Sequence, residues 1–147
     1  MSMLNVNVKR LDPTVELPAY AYEGDAGLDL RANESVDIAP FERVLMPHWP
    51  CHLNSGWVRR FVQPRSGMAL KRGLTIANTP GLIDAHYRGE LKVIAVNLDS
   101  QQTIHIERGE RIAQLVIQQV PVVHLTEVDE LDETDRGSGG FGSSGSK

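Results

Sequence analysis

The chain has 147 residues, 41% of them hydrophobic, a formal net charge of −4 and a single cysteine. That length suits one domain. The acidic balance argues against a nucleic-acid coat but leaves room for a polyphosphate held by a few arginines and backbone N–H groups. Cys51 alone cannot form an intramolecular disulfide and fits a reducing cytoplasm, no run is apolar enough to span a membrane, and the N-terminus lacks a signal-peptide layout.

Thirteen glycines, eight prolines and many short apolar runs point to an all-β chain rich in turns. Residues 3–9 alternate as a strand, with Leu4, Val6 and Val8 on one face. Short strands follow at 28–32, 34–38 and 42–46, broken by Asn33 and by Ala39-Pro40. Pro64 ends a strand. Ser66 is placed to cap a short helix over 67–72, and Gly73 to stop it in the left-handed conformation. Strands are predicted at 74–78 and at 90–98, where both faces are apolar and burial on both sides is expected. Residues 103–107, 111–119 and 121–128 complete the sheets. The acidic run Glu127–Asp135 reads as a solvated linker, and residues 136–147, rich in Gly and Ser, are expected to be mobile. The chain thus divides into a β domain, 1–128, and a linker with its tail, 129–147. Many short strands with frequent turns indicate a sandwich or jelly roll.

The densest chemistry lies in residues 81–90, Gly-Leu-Ile-Asp-Ala-His-Tyr-Arg-Gly-Glu. Asp84 follows an apolar pair in a predicted tight turn, partly buried, and suits a general base. Tyr87 can stack on a sugar or base, and the flanking glycines let the backbone approach a ligand closely. An ordinary β-hairpin with a structural Asp and Tyr fits the same ten residues. Arg65 and Ser66 sit at a helix start, where free N–H groups and a partial positive charge suit phosphate. An isolated Arg-Ser-Gly is more often a plain cap. Gln114 stands in an apolar strand and needs a hydrogen-bond partner. Asp29 lies between two leucines, and Phe141 is the one large apolar side chain in the tail. His48-x-x-Cys51-His52 lacks a fourth ligand at a zinc-like spacing, and His86, His105 and His124 read as structural or surface residues.

Five segments in order resemble the motifs of the trimeric deoxyuridine triphosphatases (dUTPases). They are Ala26-Gly27-Leu28-Asp29-Leu30, Pro64-Arg65-Ser66-Gly67, the stretch from Gly81 to Glu90, Arg111-Ile112-Ala113-Gln114-Leu115, and Arg136 to Gly145. Each is weak alone; five in order, spread over nearly the whole chain, are specific. The resemblance implies the distorted jelly roll, or β-clip, of that family, with one short helix and a flexible C-terminal tail. It implies hydrolysis of dUTP to dUMP and pyrophosphate, with Asp84 as general base on a water attacking the α-phosphate. Arg65, Ser66, Gly67, Gln114 and Arg136 would bind the triphosphate. Asn78, Gly81, Ile83 and Tyr87 would shape the uracil–deoxyribose pocket, with Tyr87 under the sugar leaving no room for a 2′-hydroxyl. Phe141 would stack on uracil as the tail, with Gly142 and Ser143, closes over the nucleotide. Mg²⁺ would be held mainly by substrate phosphates and touched by Asp29 through water. A homotrimer with shared sites is implied, with no nucleic-acid or membrane partner.

Residues 48–61 do not resemble the family, where two apolar strands joined by a glycine turn are expected. Histidine then tryptophan is CAY-TGG, and reading from the second base permits threonine then glycine. The same frame continues through leucine, alanine, isoleucine, serine, threonine, proline, alanine, glycine, tyrosine, valine, glycine and phenylalanine. A one-base gain near Pro47, cancelled by a one-base loss near Phe61, would produce the sequence as it stands. Two rival functions remain at this point. One is a dCTP deaminase, or a bifunctional deaminase and dUTPase, which shares the fold; the other is a non-catalytic nucleotide sensor or partner-binding homologue.

Overall fold

The computed structural model describes residues 4–10, 12–49, 51–54, 58–140 and 143, with backbone alone for 47–49 and 51–54. The roles expected of Phe141 and Gly142 lie outside the described residues, as do the side chains of His48, Cys51 and His52. Eleven strands and one helix are present among the described residues. In chain order they are β1 (Asn7–Arg10), β2 (Leu28–Arg31), β3 (Val36–Ile38), β4 (Arg43–Trp49), β5 (Cys51–Asn54) and β6 (Val58–Pro64). There follow α1 (Ser66–Arg72), β7 (Leu74–Ile76), β8 (Gly81–Ile83), β9 (Leu91–Asn97), β10 (Ile104–Ile106) and β11 (Arg111–Gln119).

The strands pair antiparallel in four small sheets, ordered β2-β11-β6-β8, β4-β9-β7, β10-β3 and β1-β5. The four-stranded sheet matters most for function. β11 lies between β2 and β6, so Gln114 faces Asp29 on one side and Gln63 on the other. β6 in turn carries β8 on its far edge, with Val62 opposite Gly81. One continuous core, including Leu30, Ile38, Met46, Val93, Ile106 and Leu115, is shared by the four-stranded sheet, the three-stranded sheet and the β10–β3 pair. This is the all-β jelly roll with one short helix that the sequence predicts.

Four local expectations are corrected. Ser66 is the first helical residue, and the N-cap is Arg65 in an extended conformation. The Arg65 carbonyl already accepts from the amides of Met68 and Ala69, which makes it the half-in residue. Gly73 does end the helix at φ 70°. β9 is not buried on both faces: Leu91, Val93, Ala95 and Asn97 are buried, while Lys92 is exposed and Ile94 and Val96 are half-buried. The second face, Lys92, Ile94 and Val96, is only partly covered. Buried Asn97 is satisfied, donating to the carbonyls of Ile38 and Gln102 and accepting from the Asp99 amide. β1 is short and exposed throughout, and among the described residues it pairs with β5 alone, while Val6 of its predicted apolar face packs on the core. Residues 121–128 form no strand. Val122, Val123, Leu125 and Val128 stand in solvent, since a strand exists by pairing and no described edge of the same chain receives them.

Candidate active site

Two clefts gather the residues singled out by sequence. The first, of about 380 Å³, is bounded by β8 and the turn after it on one side and by β4, β7 and β9 on the other. Asn78, Gly81, Ile83, Asp84 and Tyr87 all line it, over an apolar floor of Val62, Ile76, Leu91 and Val93. β8 is only three residues long, so the chain turns at once, and the Tyr87 amide donates to the Asp84 carbonyl at 3.2 Å. This turn presents the Asp84 carboxylate at the rim. The carboxylate is exposed, not partly buried as expected, because the turn projects beyond the last β8–β6 pair, Ile83 with Arg60. Tyr87 is 46% exposed, and its hydroxyl donates to the Glu90 carbonyl at 3.0 Å.

Two guanidiniums pin the same turn from behind. Arg88 Nη1 donates to the carbonyls of Ala85 and Tyr87. Arg60 Nη2 donates to the Asp84 carbonyl itself. Arg60 is fully buried on β6, on the face shared by Val58 and Val62. Burial, then the like charge of Arg88, pulls its pKa below the ordinary arginine value, while Asp84 opposes the shift.

The second cleft, of about 340 Å³, lies at the other edge of the four-stranded sheet. Asp29, Arg65, Ser66, Gly67 and Gln114 line it, together with Ala21, Tyr22, Asp25, Ala26 and Gly27. Asp29 holds a guanidinium on each oxygen: Arg65 Nε at 3.0 Å and Arg111 Nη1 at 2.9 Å. Arg65 also donates to the Arg111 carbonyl at 3.2 Å. Gln114 donates Nε2 to the Pro64 carbonyl at 2.9 Å, which supplies the partner its buried strand requires. Its Oε1 faces Gly27, where a Cβ would come within 2.8 Å of that oxygen, so only glycine leaves the amide in place. Ser66 and Gly67 are exposed at the first turn of α1, where amides have no intrahelical acceptor. The recess thus sets the Arg65 guanidinium beside the amides of the first helical turn, donors suited to phosphate oxygens, with Asp25 and Asp29 on the same wall.

Arg136 lines neither cleft; its Nε donates to the Gly139 carbonyl at 2.9 Å, inside its own tail turn. Ser143 follows in the same tail, its amide donating to the Gly140 carbonyl. Among the described residues no three His, Cys, Asp or Glu side chains converge as a metal-binding group. Two participants escaped the sequence reading. Arg111 stood in the segment read for Gln114, but its contact with Asp29 follows from the β2–β11 register. Arg60 gave no signal beyond its oddness in a strand.

A dUTPase family profile matches residues 14–145. The chain is 50% identical over 125 residues to the deoxyuridine 5′-triphosphate nucleotidohydrolase of Streptomyces avermitilis, covering 85% of this chain and 71% of the relative. It is 52% identical over 125 residues to the enzyme of the same name from Corynebacterium diphtheriae, covering 84% and 82%. Among solved structures, the dUTPase of Staphylococcus bacteriophage 80alpha with dUpNHpp superposes with a TM-score of 0.84 at 29% identity, covering 96% of this chain and 98% of that one. A variant dUTPase from phage phi11 of S. aureus, described with a coordinated structural Mg(II) ion, shares the fold at a TM-score of 0.78 and 24% identity, over 88% and 99% of the two chains.

Proposed function

The chain belongs to the dUTPase family, and from that premise we propose that it hydrolyses dUTP to dUMP and pyrophosphate. The observation that carries this reading is the pair of clefts: one offers a carboxylate, an aromatic ring and backbone beside an apolar floor, the other the Arg65 guanidinium, the Gln114 amide and the amides of a helix start. A nucleoside needs the first and a triphosphate the second.

Asp84 takes a proton from a water that attacks the α-phosphorus in line. The new bond is water oxygen to α-phosphorus, the bond to the bridging oxygen breaks, and pyrophosphate leaves. Arg65, Ser66, Gly67 and Gln114 hold the phosphates, and Asp29 keeps the Arg65 and Arg111 guanidiniums aimed at them. Arg136 meets the γ-phosphate and Phe141 stacks on uracil when the tail, with Gly142 and Ser143, covers the nucleotide. Asn78, Gly81 and Ile83 read uracil through backbone N–H and C=O groups, and Tyr87 lies under the deoxyribose.

Magnesium would neutralise charge on the triphosphate. Both Asp29 oxygens already bear an arginine, yet each keeps a second lone pair, which fits a contact through water better than direct ligation. The two clefts share no residue and lie at opposite edges of one sheet. A homotrimer in which one subunit's Asp84 cleft faces another's Arg65 cleft would complete each site. Among the described residues no helix is long and apolar enough to cross a membrane; with its single cysteine, the enzyme is assigned to the cytoplasm. The division into a catalytic β domain, 1–128, and a closing tail, 129–147, belongs to the same proposal.

Pyrophosphate release from dUTP with Mg²⁺ tests the reading. Turnover of dUTP with no ammonia from dCTP is expected. Ammonia release without pyrophosphate would favour the deaminase, and binding without turnover the sensor.

A further inference from the structure

We infer that Gly89 is a positioning residue that sets Tyr87 in the nucleoside cleft. The inference rests on the reading that Tyr87 lies under the sugar, and deepens it. Gly89 has no left-handed backbone angle, so its glycine is not demanded by conformation. It is demanded by space. A Cβ at position 89 would overlap Oη and Cζ of the Tyr87 ring and stand 2.9 Å from Cε2. The ring thus lies directly on the Gly89 backbone, and its hydroxyl is tied to the Glu90 carbonyl one residue further on. A methyl group there has one escape, because the ring is rigid: it must lift off the backbone and give up its hydrogen bond. The surface that Tyr87 offers the sugar would then shift.

The test is Gly89→Ala, alone and with Tyr87→Ala, read by the ring resonances of Tyr87 and by the ratio of kcat/KM for dUTP over UTP. In Gly89→Ala the Tyr87 resonances should move, and the ratio should fall about tenfold or more, the size of a misfit of one methyl group in a pocket. Adding Gly89→Ala to Tyr87→Ala should change the ratio little further, since the methyl no longer meets a ring; a merely structural role would add its own loss. Unmoved Tyr87 resonances, or a further fall in the double variant, overturn the inference. Resonances that move while the ratio holds in every variant overturn the placement of Tyr87 under the sugar instead.

A different observation carries a second proposal: residues 48–60 are a compensated change of reading frame, and the natural chain carries the other frame's residues there. The anomalies coincide with the segment. The β4–β9 register slips between Pro47 and Trp49. A charged side chain fills a fully buried β6 position between Val58 and Val62. The other frame removes the buried charge. It puts leucine at position 50 and proline-alanine-glycine at 55–57. It puts glycine at the buried position 60, behind Asp84. Tryptic mapping of the protein from its source decides the matter. The expected peptide runs unbroken from Val44 to Arg65, because the other frame holds no Lys or Arg; a peptide from Val44 to Arg59 overturns the proposal.

Discussion

Asp84 and Tyr87 share one short turn, and their roles separate by substitution. Asp84→Asn keeps the shape but cannot accept a proton, so turnover should fall about 10²–10⁴-fold while nucleotide binding persists. Single-turnover assay with a binding titration checks this, and near-normal turnover would remove Asp84 from the base role. Tyr87→Ala should relax discrimination against UTP, and an unchanged dUTP/UTP ratio would show that the ring does not police the sugar. Asp29 works through others. With each oxygen on a guanidinium, Asp29→Ala should release Arg65 and Arg111 and raise the KM for dUTP about tenfold or more, from lost charge-assisted hydrogen bonds. Unaltered KM would make the pair of ion bridges a surface ornament.

At the scale of elements, the tail and the 48–60 segment make opposite predictions. Deleting residues 136–147 should leave the melting temperature near that of the full chain, because the described tail residues bury little, yet greatly reduce turnover; full activity in the truncated enzyme would make the tail an inert linker. Replacing residues 48–60 with the other frame's residues should raise the melting temperature by about 2–4 °C or more, as relief of a buried guanidinium is worth about a kcal/mol or more. A calorimetric scan of both chains measures it. Elements were legible where pattern and partner agree: β11 runs from Arg111 to Gln119 as predicted, and Gly73 ends α1. Residues 121–128 carry an equally strand-like run, but composition cannot state whether an edge exists to receive it. β9 reads as doubly apolar, yet only the face of Leu91, Val93, Ala95 and Asn97 is buried, a fact set by what packs against the strand.

For the whole molecule, the motifs named the participants and the fold distributed them. The family resemblance implies sites shared between subunits, and within one chain the motif residues fall into two recesses at opposite edges of a sheet. Which residues meet across that distance is a property of assembly, not of the local sequence, just as the Asp29–Arg111 bridge is a property of register. If subunits share sites, mixing inactive Asp84→Asn and inactive Gln114→Ala chains by refolding should restore part of the activity, since some sites then draw both intact halves from different chains. No recovery in verified mixed oligomers would mean that each chain completes its own site. The decisive measurement is pyrophosphate released from dUTP by the purified chain with Mg²⁺. Stoichiometric dUMP and pyrophosphate should form from dUTP, with UTP and dTTP poorly used; intact dUTP after prolonged incubation with folded protein would overturn the assignment.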